Sequence, residues 1–158
     1  MKRRDLFLLF GCAAALRAQK YTGPRPPKPD LPYLLHADSL LPTESLTAKE
    51  ETKKDDIIYS VEGASSPAKT PLTSPILLMQ GDKLQPERLA LYKWETRNGR
   101  REVMFSKKKG RTGKPLMISV NRLTSDNLYK IEVVPSLENG EYSLSPEGSN
   151  QVFCFQVF

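Results

Sequence analysis

The sequence predicts an all-β chain, an antiparallel β-sandwich preceded by a signal peptide and a proline-rich linker. Three observations carry this. Short runs of alternating apolar and polar residues recur along most of the chain, separated by Gly, Pro, Asn, Asp and Ser. No window of a dozen residues sustains the i, i+3, i+4, i+7 spacing of an amphipathic helix. An Asn-Gly pair at 98–99 sits between two strand-like runs, the strongest local hairpin signal. The 158 residues, 39% hydrophobic and 27% charged with net charge +6, suit one modest domain plus a tail. Collagen-like, coiled-coil and multi-span membrane classes are excluded, since there is no G-x-y repeat, no heptad and no apolar stretch of about 18 residues.

Residues 1–18 read as an export signal. Lys2, Arg3 and Arg4 form a basic start, 6–16 an apolar run of 11 residues, and Leu16-Arg17-Ala18 a cleavage site that leaves Gln19 first. A spanning helix needs about 20 residues, so a removed signal is preferred to an anchor. Arg3-Arg4-Asp5-Leu6-Phe7 leaves the twin-arginine and general secretory routes both open. Leu9-Phe10-Gly11-Cys12 offers a lipobox with Cys12 lipidated. Phe10 is bulky for that motif and the apolar run continues past Cys12, so a cysteine of the signal itself is the preferred reading. The expected location is therefore periplasmic or extracellular, with membrane contact only through the removed signal or a lipidated Cys12. Removal of 1–18 lowers the net charge to +3 and leaves one cysteine, Cys154, so no intramolecular disulfide can form.

Residues 19–32 hold five prolines and favour extended, polyproline-like backbone, a spacer in character. Residues 33–54 are expected as an extension that packs on or joins the sandwich of 55–158. Strands are expected at 33–36, 47–53, 56–61, 75–80, 88–97, 100–108, 116–122, 128–134, 140–145 and 151–158. Asn98 and Gly99 supply the positive φ values of a type I′ turn. On the strand before that turn, Ala90, Tyr92 and Trp94 share one face, and Leu89 and Leu91 the other; Val103 and Phe105 are the apolar pair on the return. Leu116, Ile118 and Val120 form one face of a later strand, Tyr129, Ile131 and Val133 another, and Phe153, Phe155 and Val157 a third, with Cys154 opposite the phenylalanines. Nothing cationic in the local sequence activates that thiol.

Leu137-Glu138-Asn139-Gly140-Glu141-Tyr142 resembles the L-x-P-G-x-Y tyrosine corner of immunoglobulin-like, fibronectin-III-like sandwiches, with Asn139 where proline is usual. The resemblance implies that the Tyr142 hydroxyl bonds back to upstream backbone, that Leu137 and Gly140 shape the corner, and that Trp94 is the core tryptophan of a central strand. It implies architecture and no activity. The missing cysteine pair sets the chain apart from antibody-type domains.

The residues offer little for catalysis. His36 is the only histidine, which excludes a multi-histidine metal site and leaves one base for any triad. Gly63-Ala64-Ser65-Ser66-Pro67 lacks the G-x-S-x-G frame and reads as a turn. Glu50-Glu51 and Asp55-Asp56 are adjacent pairs whose members point to opposite faces of a strand, and solvated charge is preferred to a Ca²⁺ role for Asp55 and Asp56. No cofactor is expected. Basic charge is concentrated: Lys93, Arg97, Arg100, Arg101, Lys107, Lys108, Lys109, Arg111 and Lys114 face only Glu95 and Glu102 within 93–114, a window of +7 in a mature chain whose remainder carries −4. The residues form two clusters at opposite ends of one strand, and Gly110, Gly113 and Pro115 make the second a loop suited to bind a polyanion by charge. The plainer account is solubilising charge that also discourages edge-to-edge pairing. The functional expectation is a non-catalytic exported binding or scaffolding module. Its partner would be an envelope protein or an anionic polymer or lipid, with nucleic acid disfavoured by export. A carbohydrate-binding or enzyme-accessory module, with Trp94 or Tyr92 stacked on sugar, is the alternative, and a hydrolase built on His36 the remote one.

Overall fold

A computed structural model describes residues 20–108 and 113–158. The expected signal segment with Cys12, and Lys109 and Arg111 of the basic loop, lie outside the described residues.

The strands are β1 (Tyr33–His36), β2 (Ser39–Pro42), β3 (Glu44–Thr47), β4 (Lys49–Lys53), β5 (Asp56–Glu62), β6 (Lys69–Thr70), β7 (Ile76–Gln80), β8 (Leu89–Arg97), β9 (Arg100–Ser106), β10 (Ile118–Arg122), β11 (Leu128–Val133), β12 (Gly140–Pro146) and β13 (Gln151–Val157). One turn of 3-10 helix, Pro86–Arg88, precedes β8. The chain is all-β, in two sheets of order β10-β11-β7-β1-β2 and β3-β13-β12-β8-β9-β5-β4. Pairing is antiparallel except for β6, which runs parallel to the end of β13. Within this order β10-β11-β7 face β13-β12-β8-β9, the order of an immunoglobulin-like sandwich. The region expected as an extension joins both sheets: β1 and β2 widen the smaller one, and β3 and β4 form the outer strands of the larger.

Several expectations need correction. The strand expected at 47–53 begins at Glu44 and is interrupted at Ala48, and the return strand after Gly99 ends at Ser106 rather than at 108. β2 and β6 were not foreseen, because β2 ends on a proline and β6 is two residues long. The last residues of the proline-rich stretch are docked and do not hang free. Asp30 lies in left-handed backbone (φ 58°), donates its N–H to the Gln80 carbonyl, and accepts from the N–H groups of Asp82, Lys83 and Leu84.

The hairpin at the Asn98-Gly99 turn forms as expected. Both residues have positive φ, 50° and 75°, and Arg97 pairs with Arg100 across the turn. The tyrosine corner also forms: the Tyr142 hydroxyl donates to the Glu138 carbonyl at 2.8 Å, beside buried Leu137. Tyr142 stacks on Phe155, with ring centroids 5.8 Å apart.

Two hydrophobic cores result, and strand alternation sorts residues between them. The core between the sheets holds Leu34, Leu77, Met79, Leu89, Leu91, Ile131, Val133, Tyr142, Leu144, Phe153, Phe155 and Val157. The opposite faces of β8, β9, β12 and β13 turn toward a second core of Ala48, Val61, Trp94, Val103, Val152 and Cys154. All of these belong to the larger sheet or to its β3-β4 junction, so that sheet must roll upon itself. The connectivity requires the roll: its first and last strands, β3 and β4, are consecutive in the chain and separated only by Ala48. Ala48 is buried, and its N–H closes the seam on the Asn150 carbonyl at 2.7 Å. β3 and β4 thus act as one bent strand that closes a small barrel, which removes two exposed sheet edges at once.

Candidate functional site

Trp94 lies in the interior of the roll. It is 4% exposed, as a core tryptophan should be, but it occupies the second core and not the space between the sheets that the immunoglobulin-like resemblance implied. Its indole N–H donates to Ser143 Oγ at 2.7 Å, and Ser143 in turn meets Ser145 Oγ at 2.9 Å. Burial of an indole is favourable only when the N–H finds such a partner. With the ring enclosed and its donor committed, Trp94 is not the exposed ring that sugar stacking requires.

Toward one end the roll is less completely filled. A cavity of about 220 Å³ lies among Ala48, Tyr59, Ala90, Tyr92, Trp94, Val103, Phe105 and Val152, bounded by the Pro146–Asn150 turn between β12 and β13. Splaying of β8 from β9 makes this room. The two strands pair only from Glu95–Glu102 to the turn, and beyond that point β8 bonds instead to Leu116. The chain after β9 is back beside Met104 at Gly113, whose N–H donates to the Met104 carbonyl at 2.8 Å. A Cβ on Gly113 would stand 3.0 Å from Val103 Cγ2 and 3.5 Å from Phe105 Cε1, so glycine lets the chain pass close behind the cavity wall.

Three rings line the cavity nearly at right angles. Tyr59 meets Phe105 at 5.7 Å and 80°, and Tyr92 meets Phe105 at 5.3 Å and 85°. Glu50 lies directly across from Tyr59 in the β4-β5 register. Burial and the Glu50 charge hold the Tyr59 phenol above its ordinary range, so it remains a neutral donor. Glu147 reaches the rim, where Arg88 pairs with it at 3.1 Å. Among the described residues, neither lysine nor arginine lines the cavity.

The far end of the roll is closed by a buried ion cluster. Arg101, 1% exposed, donates to Glu44 at 2.8 Å, to the Gly63 carbonyl at 2.9 Å and to the Glu62 carbonyl at 3.0 Å, with Glu141 at 3.8 Å. Arg101 was placed among the polyanion-binding residues from sequence, but it faces the interior. Its neighbours on that basic window are also largely paired: Arg97 with Glu95 at 3.0 Å, Arg100 with Glu102 at 2.6 Å, and Lys93 with Glu138 at 2.8 Å. Cys154 lies beside this cluster, and burial pushes its thiol up to about 12, which suits the structural role expected of it.

Lys107 and Lys108, at the other end of β9, are exposed, and Lys114 is exposed beyond the loop. The fold adds two residues that the sequence window missed. The β4-β5 turn brings Lys53 and Lys54 next to Lys108, around a shallow depression shared with Asp55 and Asp56. The Lys107 N–H fixes the contact by donating to the Asp55 carbonyl at 3.2 Å. The Lys53-Lys54 pair was legible as a doublet, but only the β5-β9 register places it against Lys107 and Lys108.

Among the described residues, no catalytic constellation surrounds the other candidates. His36 Nε2 is 2.8 Å from Thr70 Oγ1. Ser66 is fully buried, taking Glu141 on its N–H and donating its hydroxyl to the Cys154 carbonyl, so the glycine-serine turn serves as a structural tie. Among the described residues no cluster of His, Cys, Asp and Glu is arranged to hold a metal, and no helix is long and apolar enough to cross a membrane. No protein-family model matches the chain, and the searches of curated proteins and of solved structures return no match.

Proposed function

We propose that this chain is a non-catalytic, exported binding module of the cell envelope, an immunoglobulin-like sandwich that contacts an anionic polymer through the lysine-bearing end of its larger sheet. The observation that carries the reading is the convergence of Lys53 and Lys54 with Lys107 and Lys108 from two separate hairpins. The arginines at the opposite end of β9 contribute little, since each already has a carboxylate partner. Seven residues of β9 at about 3.3 Å each separate the two ends by roughly 20 Å, so the lysine end acts alone. Flexible lysines at hairpin ends suit a polymer recognised by charge density rather than by fixed geometry.

The test is binding of the chain from Gln19 to Phe158 to teichoic-acid-like polyphosphates, acidic polysaccharides and anionic vesicles over a range of salt. Replacing Lys53, Lys54, Lys107 and Lys108 with Gln should abolish binding, and added salt should weaken it steeply in the parent protein. Binding that ignores salt, or that survives the four substitutions, overturns the proposal.

A further inference from the structure

The smaller sheet ends in two outer strands, β2 and β10, and their outer edges differ. In an antiparallel ladder alternate residues bond to the neighbouring strand, and those between them turn their N–H and C=O the other way. On β2 the Thr43 N–H donates to the Pro32 carbonyl, so in the β1-β2 register the residues that turn outward are Leu40 and Pro42. Pro42 has no N–H, and the strand is four residues long; both features blunt an edge. On β10 the Val134 N–H donates to the Met117 carbonyl and the Leu123 N–H to the Leu128 carbonyl, which fixes Met117, Ser119, Asn121 and Leu123 as the residues bonded toward β11. Ile118, Val120 and Arg122 therefore turn their backbone groups outward, and among the described residues no hydrogen bond reaches those groups. β10 carries neither proline nor lysine. Its one charge is withdrawn, since the Arg122 guanidinium donates to the Thr124 and Ser125 carbonyls of the following turn, at 3.0 and 2.6 Å. The edge thus lacks the devices that discourage strand addition.

The strand is also complementary to itself. Laid antiparallel across a two-fold axis at Val120, the outward groups of Ile118, Val120 and Arg122 meet those of Arg122, Val120 and Ile118 of the second copy, so each finds a partner. In that register Ser119 stands opposite Asn121, and no like charges oppose one another. Met117, 68% exposed, stands opposite Leu123 of the second copy. Met117 lies beside Val134, which is exposed too, so the pairing covers an apolar step that the single chain leaves in water. A shift by two residues in either direction strands an outward residue and separates Met117 from Leu123. A strand of another protein would satisfy the same backbone groups; the match of Met117 with Leu123 and the lack of a charge clash favour a second copy. From the open edge and this register we propose that β10 is the seam of a homodimer, in which a second copy adds its β10 antiparallel and joins the two five-stranded sheets into one.

Sedimentation of the chain from Gln19 to Phe158, from micromolar to millimolar concentration, should show a monomer passing to a dimer. Val120→Pro removes the N–H at the centre of the seam and should leave a monomer throughout. Because Val120 also packs against the core, Met117→Lys is the companion. It changes an exposed side chain, should leave the melting transition at low concentration in place, and should raise the dimer dissociation constant at least about tenfold, or about 1.4 kcal/mol. The register has its own test. Ser119→Cys and Asn121→Cys proteins, mixed and oxidised, should cross-link to each other, since opposed residues of a non-bonded pair lie about 4.5 Å apart at Cα. Each alone should not, because like residues stand on a diagonal of about 7–8 Å. A dimer that persists in the folded Val120→Pro or Met117→Lys protein, or cross-linking that ignores the pairing, would overturn the proposal. A monomer at every concentration would also overturn it and assign the edge to a strand of another protein. None of these substitutions touches Lys53, Lys54, Lys107 or Lys108, so polyanion binding by the same proteins is decided separately.

Discussion

Arg101 shows how far one side chain can depart from the reading its sequence context suggests. In a run of nine basic residues it looks like surface charge, yet strand alternation gives it the same face as Val103, and the roll encloses that face. A guanidinium is tolerated there because its donors reach Glu44 and two backbone carbonyls, and among the described residues no buried side-chain nitrogen or oxygen lacks a partner. Removal of one member of such a cluster strands the others. Arg101→Met should cost about 3–5 kcal/mol in urea unfolding, because Glu141 and Glu44 lose their compensating charge. Adding Glu44→Gln and Glu141→Gln to that variant should restore much of the loss. A single-variant cost below about 1 kcal/mol would mean the cluster is solvated and not structural.

At the scale of elements, local chemistry explains most of what formed. The Asn98-Gly99 turn supplies the φ values that a two-residue hairpin needs. The corner at Tyr142 forms without its usual proline, because the hydroxyl still reaches the Glu138 carbonyl and Phe155 still stacks against the ring. The segment ahead of β1 behaves differently from its proline content. Burial raises and three backbone N–H groups lower the Asp30 pKa, and the donors prevail, so the carboxyl lies below its ordinary range. A depressed carboxyl contributes stability that is present above the unfolded-state pKa, about 3.9, and lost as pH falls through the folded-state value. Asp30→Asn keeps the left-handed preference and one acceptor oxygen. It should cost about 1 kcal/mol at neutral pH, discounted for partial exposure, and the difference from the parent should fade below about pH 4. Thermal melts of both proteins between pH 3 and 7 check this, and a pH-independent gap would assign the effect to shape and not to charge.

For the molecule as a whole, the consequence of the roll is that β12 and β13 are buried on both faces and belong to both cores. Tyr142 and Leu144 face the smaller sheet while Ser143 faces Trp94, and Phe153 and Phe155 oppose Val152 and Cys154. The two cores should therefore unfold together. Leu144→Ala, in the core between the sheets, should lower stability by about 2–5 kcal/mol. The shift should be the same by Trp94 fluorescence, which reports the other core, and by far-ultraviolet circular dichroism. Separated transitions would show that the barrel and the sandwich are independent units.

The sequence by itself determined most of the strands from β7 onward, their alternating faces and two local devices, the Asn-Gly turn and the tyrosine corner, because period-two alternation and turn chemistry act between residues close in the chain. It also carries a further signal: Val152, Phe153, Cys154 and Phe155 are apolar in succession, which implies a strand covered on both sides there. Only the tertiary structure decided what covers each face. Alternation groups Ala90, Tyr92 and Trp94 on one side of β8 but does not name the opposing surface. That depends on pairing β3 with β13 across about a hundred residues and on β4 returning to β5, joined at Ala48. Such long-range pairing is set by burial summed over the whole chain and not by any local propensity. The same closure moved Trp94 from the expected core to the second one, enclosed Arg101, gathered Tyr59, Tyr92 and Phe105 around a cavity, and set Lys53 and Lys54 beside Lys107 and Lys108.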